Sequence, residues 1–416
     1  MINKLTRLWI PKGGGQMRTW FSRHQLVTKG LWSLLILFVF LLGKAIPLPF
    51  LDAHQDIVAE GRLNNLSVVT GGDLSQLSLF SLGIGPWMTA LIIFSFLGQS
   101  RRFEKVAPQR LDHYQRITTL VIAILQAYVT VMSLTFTTKS QVIAREINLV
   151  ILVAGACLVM WLCNQNARLG IGGAFFLMLV NILKTIWQAG LDALRPFNKA
   201  PGKLIVVLIL SLVVIILFMA LNVFLDRAER RVMIRRITME SKYLNQAYLP
   251  LKFVPAGGMP VMYAMSLMMI PIYFNQLLRL VWPHNHLFAH LARVMTLTNP
   301  VGIGIYLVIL LALSFLFAYL SLDPQMQAER FQHQGDYLPG YQPGRRTEKH
   351  LQRLVSGFAL IGGLYIMLFA GVPLLLIHQE KLALIPGELM MMVGLALMAV
   401  EQVRSLWIGR QYQTLL

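Results

Sequence analysis

The chain has 416 residues; 56% are hydrophobic and 13% charged, and 37 Lys and Arg stand against 18 Asp and Glu for a net charge of +19. A soluble protein of this length would carry about 25% charged residues, which rules out an ordinary soluble domain, and no polar stretch is long enough to form the basic domain that nucleic acid would need. The two cysteines, Cys157 and Cys163, share one apolar run and offer neither a disulfide framework nor a zinc site.

A basic, Gly-containing leader (1–28) precedes the first apolar run, which reads as a retained span and not as a cleaved signal. A helical span needs about 20 apolar residues. Ten stretches meet that need: 29–46, 79–98, 117–136, 147–163, 171–190, 204–225, 257–280, 299–322, 354–377 and 387–403. They are predicted as helices because hydrocarbon offers backbone groups no outside partner. Barrel strands would be about half as long and alternate in polarity. Arg and Lys in the connections set the orientation. The leader together with Lys29 at the first span's edge, the loops after the second, fourth, sixth and eighth spans, and the 404–416 tail hold 26; the opposite side holds nine. Both termini are therefore predicted cytoplasmic, as are the basic segments 225–252 and 323–353. The chain divides into an N-terminal half, 29–200, and a C-terminal half, 201–403.

The external stretch 51–78 is too polar to span and runs through Gly71-Gly72 straight into the second span. It reads either as a re-entrant element or as an ordinary external loop. Residues 335–350, "GDYLPGYQPGRRTEKH", hold two Pro-Gly pairs four residues apart. Pro fixes φ and Gly permits positive φ, so the stretch is expected to be a shaped hairpin.

Catalytic signatures are missing. The chain has no G-x-x-x-x-G-K-[ST], no H-E-x-x-H and no G-x-S-x-G. "WPHNHLFAH" gathers His284, His286 and His290 without a nearby carboxylate or Cys, a weak metal candidate. No cofactor is expected. The central parts of the spans show no acidic residue, and Lys184 is the one basic residue clearly inside a span. Coupled transporters accept buried charges at their sites. A pathway without them suits a pore that passes varied cargo and holds none tightly. A small-solute transporter would need a midplane charged site, and an intramembrane enzyme a nucleophile with its base or a metal. "LGIGPWMTA" (82–90) and "AGGMPVMYA" (256–264) each place Gly shortly before Pro at the start of a span, one in each half, as an inverted repeat would. The 21 methionines fit either gap filling or a surface that adapts to many partners.

Several longer phrases carry a family resemblance: "LGKAIPLPF" (42–50), "GGDLSQLSLFSLGIGPWMTALII" (71–93), "MWLCNQNARLGIGG" (160–173), "AERRVMIRR" (228–236), "LPLKFVPAGGMPVMYAMSL" (249–267) and "YLPGYQPGRRT" (337–347). Their order and spacing resemble the SecY family, the pore subunits of the Sec protein translocase, from about residue 26 to the C-terminus. The resemblance implies an all-α integral membrane protein of ten transmembrane helices, in two pseudo-symmetric five-helix halves around an hourglass pore with a re-entrant plug. It implies a pore ring at Ile84, Met88, Phe175, Leu179, Met262 and Met391, the last being the least anchored. It implies a plug near 60–75 containing Leu63, Leu66, Val68, Val69, Gly71 and Gly72, and a lateral gate between the spans that start near 79 and 257. The basic loops, with Arg230, Arg231, Arg235, Arg236, Gln342, Arg345 and Arg346, would dock a ribosome or a SecA-type motor ATPase. Further implied partners are small SecE/SecG-like or accessory subunits, the secreted preprotein and anionic lipids.

The family usually has Arg where this chain has Gln342, neutral or acidic residues at Arg345 and Arg346, Gly-Glu at Cys163-Asn164, Asn at Val254 and a polar residue at Met398. This drift is similar to the accessory SecY paralogue of certain Gram-positive bacteria, which exports glycosylated serine-rich adhesins with an accessory motor. General secretion by a housekeeping SecY is the alternative.

Overall fold

The computed structural model describes residues 25–50, 77–98, 108–132, 134, 136, 140–195, 201–236, 248–282, 290, 291, 294, 297, 299–377 and 380–413. From the N-terminus the elements are α1 (Gln25–Ala45), α2 (Gly85–Gly98), α3 (Pro108–Met132), α4 (Gln141–Leu169), α5 (Phe176–Leu194) and α6 (Pro201–Arg227). Three short strands follow, β1 (Glu229–Met233), β2 (Arg235–Arg236) and β3 (Tyr248–Lys252), and then α7 (Met259–Val281), α8 (Pro300–Leu322) and α9 (Pro324–Gln334). The chain continues through β4 (Asp336–Tyr337), α10 (Arg345–Ile366), a π-helical turn (Met367–Gly371), α11 (Val372–Leu376) and α12 (Glu380–Gln413).

A helix stands at each of the ten expected spans. Eight helices among the described residues are long and apolar enough to cross a membrane. The other two places hold the shorter apolar α2 and the 19-residue α5, whose buried residues Leu177, Met178, Asn181 and Ile182 mark one face. Prolines punctuate the starts: Pro108, Pro201 and Pro300 open α3, α6 and α8, and Pro86 and Pro260 are second in α2 and α7. In the first turn a missing N–H costs no helical bond, and the fixed φ is already helical. α6 is apolar and exposed along nearly its whole length; in a bilayer such a face is simply wetted by lipid.

The second span begins later than its hydropathy suggests. Residues 79–84 form a turn, with Gly83 at φ +58°, and only then does α2 start. This turn is wedged against α1 and α4. Leu79 N–H donates to the Ile46 carbonyl at 3.0 Å, and Leu48 N–H donates to the Leu77 carbonyl at 3.0 Å. Phe80 stacks on Phe40 with ring centroids 5.8 Å apart. Gly43 makes room for the Phe80 ring, and Gly155 of α4 for the Leu79 carbonyl. Two sequence-distant glycines therefore set where α2 enters the bundle.

The two basic segments are not independent loops. β1 pairs antiparallel with β3, and β2 pairs with β4 through Arg235↔Tyr337 and Arg236↔Asp336. Ile234, Phe331, Leu338 and Leu351 bury a small apolar core beneath them. The expectation of a shaped hairpin over 335–350 is corrected in its second part: β4 and turns fill 335–344, and α10 already begins at Arg345, while α9 occupies most of the segment before it. Asp323 caps α9 by accepting from Met326 N–H at 3.2 Å, and Gly335 ends it at φ +71°. Arg345 and Arg346 thus begin a helix, because the Pro-Gly pairs leave the chain free to start one at once.

Candidate functional site

The six residues expected to form a ring all lie in or against one large buried apolar cluster. Ile84 ends the wedged turn, Met88 lies in the first turn of α2, Phe175 precedes α5, Leu179 is one turn in, Met262 opens α7 and Met391 is mid-α12. Ile84, Met88, Met262 and Met391 are almost fully buried, and all six belong to one apolar cluster, with Phe175 and Leu179 half-buried at its edge. Aromatic side chains that the sequence did not single out extend it. Trp87 lies 5.7 Å from Phe175 between centroids, Phe175 meets Tyr263 edge-on at 6.2 Å, and Tyr263 stacks on Phe317 at 4.9 Å. Trp87 and Tyr263 each sit beside a ring methionine in the two Gly-Pro phrases, and that adjacency was the available signal.

Small residues let α7 and α12 close on each other here. Gly257 adopts φ +55°, a conformation that side chains disfavour. A Cβ on Gly258 would stand 2.7 Å from the Met390 carbonyl oxygen. On the other flank α2 packs against α7. That seam is unusually polar for a buried helix contact: Ser266 Oγ lies 3.8 Å from Met88 Sδ, and Thr89, Gln126, Ser266 and Tyr273 line a small void.

A cavity of about 350 Å³ borders the cluster, and Met262 and Met391 are among the residues that line it. Met259 and Met398 form part of its wall, and Asp226, Lys252 and Glu401 stand at its rim. Lys252 Nζ is 3.6 Å from Glu401 Oε1 and 4.0 Å from Asp226 Oδ2. Such half-exposed pairs add about 0–1 kcal/mol; their weight lies in fixing charge at the entrance.

The same rim leads to the basic surface. Arg230, Arg231, Arg235, Arg345, Arg346 and Gln342 are exposed, while Arg236 is described through its backbone pairing alone. Arg231 is held by Glu229 Oε1 at 3.1 Å and lies over the Tyr248 ring at 4.8 Å. The Gln342 carbonyl accepts from Thr347 Oγ1 at 2.8 Å, and Tyr341 stacks on His350 at 4.0 Å, so the turn is braced onto α10. Cations at a helix N-terminus oppose the macrodipole at about 0.3–1 kcal/mol each. Arg345 and Arg346 are therefore not placed there for the helix.

One acid lies buried near the start of the last predicted span, outside the central parts that were expected to hold none. Glu388 of α12 is 2% exposed, and neither carboxyl oxygen has a hydrogen-bond partner among the described residues. Leaving such a group unmade costs about 1–3 kcal/mol, and more if ionised. The plug positions Leu63, Leu66, Val68, Val69, Gly71 and Gly72 lie outside the described residues, as do His284 and His286. No metal-binding group of three or more ligands occurs among the described residues. Cys163 is buried and Cys157 half-buried, both as free thiols.

The family model described as SecY matches residues 78–400. Curated relatives include the accessory Sec system protein translocase subunit SecY2 of Leuconostoc gelidum subsp. gasicomitatum, 34% identical over 94% of this chain and 97% of the relative. That of Streptococcus oralis is 32% identical over 95% and 100%, and that of Streptococcus parasanguinis 30% identical over the full length of both. Among solved structures, "The structure of a protein conducting channel" superposes with a TM-score of 0.67 at 17% identity, covering 91% of this chain and 92% of that one. Sec61 from the canine ribosome-channel complex gives 0.64 at 17% identity over the same shares.

Proposed function

We propose, given that the chain belongs to the SecY family, that it is the protein-conducting subunit of an accessory Sec translocase that moves unfolded preproteins across a bacterial plasma membrane. The observation that supports this is a buried apolar cluster meeting a cavity whose charged lining residues Asp226, Lys252 and Glu401 stand beside the braced basic strands. Bulky apolar side chains at a narrow point exclude water and ions, and methionine deforms around varied cargo. The ring assignment of Ile84, Met88, Phe175, Leu179, Met262 and Met391 comes from the family resemblance, and that chemistry suits it. The polar seam between α2 and α7 serves as the lateral gate, since groups that hydrogen-bond tolerate wetting when the helices part. Both termini are cytoplasmic in this reading, and residues 60–75 act as the plug.

The chain lacks a nucleotide motif, so the drive comes from a partner. A SecA-type motor fits the exposed Arg230, Arg231, Arg235, Arg345 and Arg346 if it offers carboxylates to them. The ladder between β2 and β4 supports one rigid docking body in place of two loops. Small SecE/SecG-like or accessory subunits and anionic lipids complete the assembly. Resemblance to the accessory subunits favours large glycosylated serine-rich adhesins as cargo; the alternative is general secretion as a housekeeping SecY.

Charge reversal tests the docking. Arg345→Glu with Arg346→Glu removes cations that oppose the α10 dipole, so the fold should hold or gain slightly. Motor affinity should fall by roughly tenfold or more, with a weaker salt dependence. Binding of the purified motor to vesicles carrying each channel measures it, and equal affinity for both would remove these residues from the docking surface.

A further inference from the structure

Among the described helices the two halves meet where α2 and α3 pack on α7 and where α5 packs on α12. Near the C-terminal end of α12, one side chain of the second half reaches the backbone of the first. Gly172 N–H donates to Gln402 Oε1 at 2.9 Å, and Gln402 Nε2 donates to the Gly170 carbonyl at 3.4 Å. The turn that receives it is firmly built. Ser33 Oγ of α1 donates to the Ile171 carbonyl at 3.3 Å and accepts from Ile171 N–H at 2.7 Å. Asn166 Nδ2 of α4 donates to the Ile171 and Gly173 carbonyls at 3.2 and 2.6 Å. A Cβ on Gly170 would collide with Asn166 and Ser33, and Gly172 and Gly173 hold φ at +82° and +67°. The turn is thus fixed to α1 and α4, and it cannot follow α12 if that helix moves. The residue beside Gln402 is held the other way. Glu401 Oε1 lies 3.6 Å from Lys252 Nζ at the end of β3, the strand paired with β1 in the basic surface. Adjacent residues therefore tie one end of α12 to its own half and to the opposite half.

We propose that Gln402 is a latch between the halves: its two hydrogen bonds to the 170–172 turn hold α12 against the first half while the channel is idle, and their release accompanies opening. The inference rests on the channel reading above. A channel that widens for a polypeptide must part its halves, and α12 then cannot keep both ties. The amide tie is the reversible one between halves. Neutral hydrogen bonds of a half-buried side chain exchange for water at small net cost, so they bias the closed state without preventing opening. Met391 lies on the same helix about 16 Å along the axis from Gln402, so a tilt of α12 away from the turn carries it along. In the proposed orientation the latch faces the cytoplasm, and the Lys252–Glu401 pair connects its helix to the surface where a motor would dock.

The test records single channels in planar bilayers and measures thermal unfolding on the same preparations. Gln402→Leu and Gln402→Ala both remove the two bonds, and each should raise the idle open probability about fivefold. Gln402→Glu keeps an oxygen for Gly172 N–H, the shorter of the bonds, and should stay within about twofold of the parent. A merely structural role would lower the unfolding temperature of the Leu and Ala variants and leave their open probability at the parental value; that result overturns the proposal. An equal rise in the Glu and Leu variants overturns it too, because the Gly172 bond would then hold nothing. If the unsubstituted protein conducts neither at rest nor with its motor and a preprotein, the channel reading and this proposal fall together.

Discussion

A channel carrying Met262→Asn and Met391→Asn should leak ions at rest, with a conductance about tenfold or more above the unsubstituted protein. Met262 is 1% exposed and Met391 2%, and both line the cavity where the proposed seal lies. A narrow apolar segment stays dry because water entering it loses hydrogen bonds and finds no replacement. Two amides supply those bonds and allow a continuous water file. Both side chains border open space on the cavity side, so a shorter polar residue is tolerated there better than in a packed interior. Planar-bilayer recordings of the idle protein read the effect directly. A conductance equal to that of the parent would mean that these methionines do not form the seal.

Gly155→Ala should deplete the protein from the membrane, whereas Gly30→Ala should not. Alanine normally favours a helix over glycine by about 1 kcal/mol, and around Gly30 no atom lies within 4 Å of an added Cβ, so that substitution is neutral or slightly stabilising. At Gly155 the new Cβ collides with the Leu79 carbonyl, a backbone group in a turn held by Leu79 N–H to Ile46 at 3.0 Å and by Ser81 Oγ to the Ser78 carbonyl at 2.6 Å. Neither the helix nor the turn can yield cheaply, and overpacking of this kind costs about 1–3 kcal/mol or more. For a fold held by about 5–15 kcal/mol that is a large share. The turn also places Ile84 and Met88, so any surviving protein should leak. Steady-state abundance and thermal unfolding of the two variants measure this; equal behaviour would show that the α4 contact does not position α2.

The spans were legible in the sequence because hydrocarbon demands long apolar helices, and their prolines mark several of the starts. The start of α2 was not, since Leu79, Phe80, Leu82 and Ile84 are as apolar as a helix, and only the packing of Gly43 and Gly155 shows that they form a turn. The pairing of β2 with β4 was hidden for another reason: Arg235 and Tyr337 are distant in sequence, and two-residue strands carry no pattern of their own. Of the residues proposed for the ring, none stands out by periodicity; their positions come from family phrases, and the structure adds their place in one buried apolar cluster and the Trp87–Phe175–Tyr263 contacts. Glu388 escaped because an acid beside Pro386-Gly387 reads as the edge of a span, while the helix continues outward from it to Glu380.

The most direct test of the proposed role is the secretome of a strain lacking this gene, compared with its parent. An accessory protein-conducting channel predicts living cells that lose one or a few large surface glycoproteins and regain them when the gene is returned. A gene that cannot be removed, or depletion that makes ordinary precursors pile up inside the cell, would contradict the accessory role and assign the chain to general secretion.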